Sequence, residues 1–132
     1  MSLLSIDLDL PDHTKQLQDA ETYIENLKKQ IALQQRARDL SPKMYEALYD
    51  KITNGLYYVG GLSKPAFDCE DIIEKEYFKT YKHAPELARK LWQDHYGQIH
   101  RPYNVLKNRL FRLYEALSEA YMKVNKLTPP KV

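Results

Sequence analysis

One stripe of apolar residues near the carboxyl end constrains the fold more than any other feature of this sequence. Between residues 102 and 127, apolar side chains recur at alternating steps of three and four, the spacing that places them on one face of an α-helix. The stripe consists of Tyr103, Leu106, Leu110, Leu113, Leu117, Ala120, Val124 and Leu127. Exposing so much apolar surface to water is unfavourable, so either the rest of the chain or a second copy must cover it.

A second stripe of the same spacing lies in the first third of the chain, within a helix predicted for residues 12–40 with Asp12 as its N-cap. Two long heptad-patterned helices, at about 12–40 and 102–127, can pack along each other or dimerise. We therefore predict self-association through the larger residues of both stripes. These are Leu17, Ile24, Leu27, Ile31, Leu106, Leu110, Leu113 and Leu117.

Prolines and glycines divide the middle of the chain. Ser41-Pro42 is typical of a helix start, and Asn54-Gly55 is typical of a helix end. Residues 56–65 hold two more glycines and a proline, which predicts an irregular loop. Two shorter helices, at about 68–82 and 85–97, would precede the last one. The sequence thus predicts an all-α fold, a small bundle of about five helices.

The 132 residues are expected to form one domain. Apolar residues alternate with polar ones before Pro11, a strand-like period that the proline ends. We interpret residues 1–11 as an extended arm that either lies over an apolar groove or reaches a partner subunit. Residues 12–127 would be a single helical domain, and 128–132 a flexible tail.

Composition excludes several classes of protein. Hydrophobic residues make up 43% of the chain and charged residues 29%, an ordinary globular mixture. A net charge of +2 is too small to predict nucleic-acid binding by itself. The single cysteine excludes a disulfide framework within the chain. We see neither a signal peptide nor an apolar run long enough for a membrane span, and expect a cytoplasmic protein without membrane attachment.

Histidines and acids cluster before the last predicted helix, at Asp94, His95 and His100, and such residues can bind a metal. The chain lacks the His-x-x-x-His and Glu-x-x-His spacings that hold metals on helices. One packed and one exposed histidine are the simpler explanation of the cluster. We therefore expect no metal and no cofactor.

Tyrosine is unusually frequent, with eleven tyrosines against three phenylalanines and one tryptophan. Tyrosine suits partly buried positions, where its ring is covered and its hydroxyl faces water, and it is enriched at protein interfaces. The aromatic residues either line the edges of a small bundle or form a surface that binds a partner protein. The predicted partner-binding residues are Tyr57, Tyr58, Tyr45, Tyr49, Trp92 and Tyr96.

Basic residues provide an alternative. Arg89 followed by His95 in a small all-α chain resembles the motif of HEPN-type ribonucleases, in which such a pair would serve RNA cleavage across a dimer. Lys107, Arg109 and Arg112 on the last helix would attract a phosphate backbone. A surface arginine, a helix-end histidine and a solvated helix face are the simpler explanation of the same residues.

The sequence therefore favours a non-enzymatic helical protein-binding module that acts as an adaptor, a small regulator or an assembly subunit. Its expected partner is another protein or a second copy of the chain. The alternative is a nucleic-acid-binding or RNA-cleaving helical protein that uses the basic last helix and the pair Arg89 and His95.

Overall fold

The fold is built from α-helices, as predicted. The computed structural model describes residues 12–68 and 70–130, without the side chains of Ala66, Glu70, Ile73, His95, Gln98 and Ile99. Within this part of the chain there are four helices, namely α1 (Thr14–Ala37), α2 (Pro42–Asp68), α3 (Glu70–Thr80) and α4 (Pro85–Asn125). The predicted arm, residues 1–11, and the last two residues of the predicted tail lie outside the described residues.

Helices α1, α2 and the carboxyl-terminal part of α4 form a three-helix bundle. Helices α1 and α4 run parallel, since His13 Nδ1 lies 2.8 Å from the Tyr103 hydroxyl at one end and Asn125 Nδ2 donates to the Leu40 carbonyl at 2.7 Å at the other. Helix α2 runs antiparallel to both, because Tyr45 near its start packs on Tyr121 of α4, whereas Phe67 near its end packs on His100. This arrangement places both sequence stripes on the inside.

The core of the bundle consists of the two stripes and the inner face of α2. Ile24, Leu27 and Ile31 of α1 are buried against the α4 stripe, whose Leu110 and Leu117 are fully enclosed. Leu48 and Ile52 of α2 complete the core. Since the chain covers its own stripes, a second copy is not needed to shield them from water.

The turn between α1 and α2 uses the predicted capping chemistry. Arg38 adopts a left-handed conformation at φ 52°, and the Asp39 N–H donates to the Gln34 carbonyl at 3.0 Å. Ser41 then caps α2, because its Oγ accepts the N–H of Met44 at 3.1 Å. The predicted start at Ser41-Pro42 is confirmed.

The start of α1 differs from the expectation by one residue. The N-cap is His13 rather than Asp12, and the helix begins at Thr14. The Asp12 carboxylate still accepts from the Thr14 hydroxyl at 2.6 Å and from the Thr14 N–H at 3.0 Å. These two hydrogen bonds favour the ionised form and lower the pKa of Asp12.

The predicted loop over residues 56–65 is wrong, because α2 continues through it to Asp68. Pro65 has no N–H to donate and each glycine weakens a helix by about 1 kcal/mol. Burial of Val59, worth about 1.5 to 3 kcal/mol, offsets part of that penalty. The buried Ser63 hydroxyl donates to the Gly60 carbonyl at 3.0 Å, so this polar side chain has a partner within the helix.

The predicted break between 85–97 and 102–127 is also absent. Helix α4 runs without interruption from Pro85 to Asn125 and contains Pro102. Pro102 is exposed, whereas His100 and Tyr103 on either side of it are buried, so packing around the proline maintains the helix. The merging of two predicted helices explains why the described chain has four helices rather than about five.

Helix α3 packs mainly on the amino-terminal part of α4, beyond the end of the three-helix bundle. Tyr77 of α3 is fully buried, as are Ala88 and Leu91 of α4. Pro85 begins α4 as predicted, and the Ala88 N–H donates to the Ala84 carbonyl at 3.0 Å. Ile72 of α3 is exposed.

We predict that Leu117→Ala lowers the free energy of unfolding by about 2 to 5 kcal/mol, because it opens a cavity in a fully enclosed part of the core. Leu33→Ala is the matched control, since that side chain is 55% exposed and its loss changes stability by about 0.5 kcal/mol or less. Urea denaturation followed by circular dichroism measures both. The midpoint should not depend on protein concentration, and a midpoint that rises with concentration would show that a second copy covers the stripes.

We predict opposite outcomes for alanine at two glycines of α2. A Cβ added at Gly61 would meet no heavy atom within 4 Å, so Gly61→Ala should stabilise the protein by about 0.5 to 1 kcal/mol through helix propensity. At Gly55 a Cβ would lie 3.0 Å from Leu110 Cδ2 and 3.1 Å from Tyr23 Cε1, and overpacking cancels or reverses that gain. Equal stabilisation by both substitutions in urea denaturation would contradict the tight contact.

Candidate protein-binding cleft

An apolar cleft opens between the first half of α1 and the middle of α2. Its volume is about 340 Å³, within the range of about 300 to 1,000 Å³ that is usual for binding sites. Leu110 of α4 forms part of its wall. The lining residues are Asp19, Ala20, Tyr23, Ile24, Asn54, Gly55, Tyr58, Val59 and Leu110.

Gly55 is central to the shape of this cleft. Leu48, Ile52, Gly55 and Val59 follow helical spacing along the inner face of α2, and three of the four carry large side chains. Gly55 carries none, and Leu110 and Tyr23 occupy the space into which its side chain would project, since an added Cβ would lie 3.0 Å from Leu110 Cδ2 and 3.1 Å from Tyr23 Cε1. Gly55 therefore allows the side chains of α1 and α4 to approach the α2 backbone closely at this side of the cleft.

Two tyrosines border the cleft. Tyr23 of α1 is 37% exposed and Tyr58 of α2 is 47% exposed. The Tyr23 hydroxyl donates to the Lys51 carbonyl at 2.6 Å, which holds its ring across the gap between the two helices. Rigid aromatic rings beside an apolar cavity are the typical anchors of protein interfaces.

One charged side chain contributes to the lining. Asp19 lies at the mouth of the cleft, and the other polar side chain there, apart from the tyrosines, is the amide of Asn54. Both are exposed to solvent. The cleft therefore offers an apolar interior with a carboxylate at its edge.

The predicted partner-binding residues do not form one surface. Tyr57, 75% exposed, and Tyr58 project from the middle of α2, and Tyr58 lines the cleft. Tyr45 is buried against Tyr121 with ring centroids 5.2 Å apart, so it belongs to the core. Tyr49 is half-buried and lies 4.6 Å from the Tyr114 ring.

Trp92 and Tyr96 lie elsewhere, in an aromatic cluster on the amino-terminal half of α4. Their ring centroids are 5.2 Å apart, and Tyr96 lies 4.0 Å from the ring of His100. His100 in turn lies 4.0 Å from Phe67 of α2 and is buried. These rings join α2 to α4 below the three-helix bundle, and they are well separated along α2 from the cleft.

The predicted self-association residues are inside the chain. Leu17 is half-buried against the core, and the other seven are buried in it. The buried residues are Ile24, Leu27, Ile31, Leu106, Leu110, Leu113 and Leu117. A dimer that used them would first have to open the bundle. Of the two ways of covering the stripes, the structure shows coverage by the chain itself, and self-association through these residues stays a prediction.

The residues of the nucleic-acid alternative point in different directions. Arg109 forms an ion pair with Glu25 of α1, and Lys107 Nζ lies 5.0 Å from the centre of the Phe67 ring. Arg112 and Arg89 are exposed, and they are 23 residues or about 35 Å apart along α4. The side chain of His95 lies outside the described residues. The described basic side chains do not form a continuous row.

Metal binding and membrane insertion have no site in the described part of the chain. It contains no group of three histidine, cysteine, aspartate or glutamate residues placed to bind a metal. None of its helices combines the length and the hydropathy required to cross a membrane.

Sequence reasoning missed most of the cleft. The sequence pattern gave no binding role to Tyr23, Asp19 or Asn54. It indicated only that Asn54-Gly55 ends a helix. A signal was present, because Gly55 occupies a position where the spacing of Leu48 and Ile52 requires a core side chain. Which helix faces that gap depends on tertiary packing, so the sequence could not place α1 there.

Comparisons with protein-family models, with curated proteins and with solved structures found no match to this chain. Its function must therefore be inferred from the geometry of its own residues.

Tyr23 provides a pH-dependent test of the cleft. Burial raises the pKa of Tyr23 above that of a free tyrosine, as it does for Tyr45 and Tyr103. A raised tyrosine pKa means that the folded state disfavours the phenolate. Stability is therefore complete below about pH 10 and is lost as the pH rises through the folded-state value.

We predict that Tyr23→Phe reduces this alkaline loss of stability, because phenylalanine has no proton to release. At neutral pH the same variant should be less stable by about 0.5 to 1.5 kcal/mol, since the bond to the Lys51 carbonyl is lost. Urea denaturation between pH 8 and about pH 11 measures both effects. Identical pH profiles for the variant and the natural protein would contradict the burial of the Tyr23 hydroxyl.

Proposed function

We propose that this chain is a non-enzymatic protein-binding module, and that its α1–α2 cleft binds an apolar peptide segment of a partner protein. The observation that carries the proposal is the apolar cleft beside the two partly exposed rings of Tyr23 and Tyr58. Exposed apolar surface in a concave site commonly marks a binding site.

The volume and lining of the cleft define the chemistry of the ligand. An apolar cavity of about 150 Å³ holds a benzene ring, so this cleft has room for more than one side chain. The interior atoms are contributed mainly by Ala20, Ile24, Val59 and Leu110, which offer no hydrogen bonds from their side chains. The ligand is therefore a segment that presents aliphatic or aromatic side chains on one side.

The charge at the mouth of the cleft adds a preference. The carboxylate of Asp19 attracts a cation near the bound apolar side chains and repels an anion. A segment with apolar residues next to lysine or arginine fits this edge better than an acidic one. Because Asp19 is exposed, this preference should weaken as salt is added.

The other functions predicted from the sequence receive less support. The residues of the two stripes are buried in the core of the chain. Arg109 contacts Glu25, and Lys107 contacts the Phe67 ring. We therefore propose a module that works as a single chain and uses proteins rather than nucleic acids as ligands. A cytoplasmic location remains part of the proposal and depends on the sequence alone.

We predict that Tyr58→Ala weakens peptide binding at least tenfold, the effect expected when an interface anchor worth about 1.4 kcal/mol or more is truncated. The probe is a displayed library of short random peptides, selected on the full chain, and affinities of the selected peptides are then measured by calorimetry. Phe111→Ala is the matched control, because Phe111 is an aromatic residue with 55% exposure that does not line the cleft.

The selected peptides should share closely spaced apolar residues with a basic neighbour, and Asp19→Asn should reduce the preference for that basic residue. Phe111→Ala should bind them as the natural protein does. If no peptide is enriched, or if Tyr58→Ala and Phe111→Ala have equal effects, the proposed binding site is wrong.

A further inference from the structure

We propose that the α1–α2 cleft binds an amphipathic α-helix of a partner protein, whose amino end lies toward Asp19. This inference rests on the proposed function, and it adds the form and the direction of the segment that the cleft binds. It depends on three properties of the described residues. The cleft lies between two helices, its lining offers no free backbone groups, and opposite charges lie at its two ends.

The cleft lies in the groove between two neighbouring helices of a three-helix bundle. Helices α1 and α2 are antiparallel, and Leu110 of α4 contributes to the lining from behind them. A further helix takes this kind of position in a four-helix bundle, because ridges of side chains on one helix fit between those of its neighbours. Tyr23 of α1 and Tyr58 of α2 form the two ridges of this groove. A helix laid along the groove contacts both rings.

The dimensions of the cleft set the number of inserted side chains. Its lining extends from Asp19 to Ile24 on α1 and from Asn54 to Val59 on α2, about 7.5 Å along each helix axis. Residues i and i+4 of a bound helix share one face and lie about 6 Å apart along its axis, so both fit. Residue i+7 would lie about 10.5 Å from the first and fall beyond the lining. The bound helix therefore inserts two side chains, which we call the anchors.

Hydrogen bonding favours a helix over an extended segment. All of the α1 and α2 residues that line the cleft lie well inside those helices, so their N–H and C=O groups are bonded within the helix. The described part of the chain also has no strand edge that an extended segment could join. A bound extended segment would lose water from its backbone without gaining partners, whereas an α-helix satisfies its own backbone.

Charges at the two ends of the cleft give the bound helix a direction. Asp19 is the first lining residue of α1, and the exposed Lys51 lies one turn before Asn54, the first lining residue of α2. Since α1 and α2 are antiparallel, Asp19 and Lys51 lie at opposite ends of the cleft. Lys15 lies a further turn away from the cleft, so Asp19 is the nearer charge at its end. A helix has a positive amino end and a negative carboxyl end, which fit Asp19 and Lys51 respectively.

The spacing of apolar residues in selected peptides is the first test. The full chain is used to select from a displayed library of random peptides of about 15 residues, long enough for several helical turns. We expect enriched peptides to carry apolar residues at i and i+4 or at i and i+3, the spacing of one helix face. Enrichment of apolar residues at i and i+2 would overturn the helical form, because alternate residues share one side of an extended backbone.

Helix propensity at position i+2, midway between the two anchors, is the second test. In a helix this residue faces away from the cleft, so replacing alanine there by glycine should weaken binding about fivefold, and by valine about two- to threefold. The same change from alanine to glycine at the last residue of the peptide is the matched control and should leave the affinity unchanged. Calorimetry measures the affinities. Equal affinities of the three peptides, or tighter binding with valine, would contradict a bound helix.

Disulfide formation between peptide and protein tests the direction. Gln16 and Gln30 of α1 lie seven residues on either side of Tyr23, and both are half-buried, so they form a matched pair at the two ends of the groove. Gln16 lies at the end that holds Asp19. In a Cys69→Ser background, either Gln16→Cys or Gln30→Cys is mixed with a peptide that carries a cysteine one turn before its first anchor.

We expect this peptide to form the disulfide at least about fivefold faster with Gln16→Cys than with Gln30→Cys, because the bound helix holds the two thiols close together. A peptide with its cysteine one turn after the second anchor should show the reverse preference. Mass spectrometry of the products over time measures the rates. Equal rates for the two variants, or the opposite preference, would overturn the proposed direction.

The two proposals can fail separately. If peptides bind through Tyr58 but carry the spacing of an extended segment and do not respond to helix propensity, the binding function stands and the helical form is wrong. If no peptide is enriched, the proposed function is wrong, and the helical ligand is excluded with it.

Discussion

Burial of the α4 stripe between α1 and α2 is the interaction on which the rest of this structure depends. Leu110 and Leu117 are fully enclosed, and each contacts the inner faces of helices that come from distant parts of the sequence. Apolar burial of this extent is the main favourable contribution to folding, and it is not directional. The alignment of the helices relative to one another is set by polar contacts at their ends, such as the hydrogen bond from Asn125 Nδ2 to the Leu40 carbonyl.

The same burial explains why two helices continue through residues that ordinarily interrupt them. Pro65 and Pro102 each remove one hydrogen bond from the helix ladder, and glycines precede both. The two prolines lie near the same level of the fold, because Phe67 of α2 contacts His100 of α4. At that level the three-helix bundle ends and the packing of α3 on α4 begins.

The cleft is a consequence of where the packing is incomplete. Gly55 allows Leu110 and Tyr23 to pack against the α2 backbone, and the cleft remains open beside this contact, between α1 and α2. Tyr23 and Tyr58 border this space without filling it. The proposed binding function depends on that apolar volume, because covering an apolar surface removes it from water and lowers the free energy.

The sequence by itself determined the fold class, the two long amphipathic helices, the turn at Ser41-Pro42 and the start of α4 at Pro85. These features depend on the spacing of apolar residues and on helix-capping residues, both of which can be read directly from the sequence. Only the tertiary structure decided that α2 continues through Gly60 and Pro65, that α4 is one helix, and that Gly55 lies beside a cleft. In those places glycine and proline locally favour a helix break. That preference is weaker than the free energy gained by burying Val59, His100 and Tyr103 against neighbours that are remote in sequence.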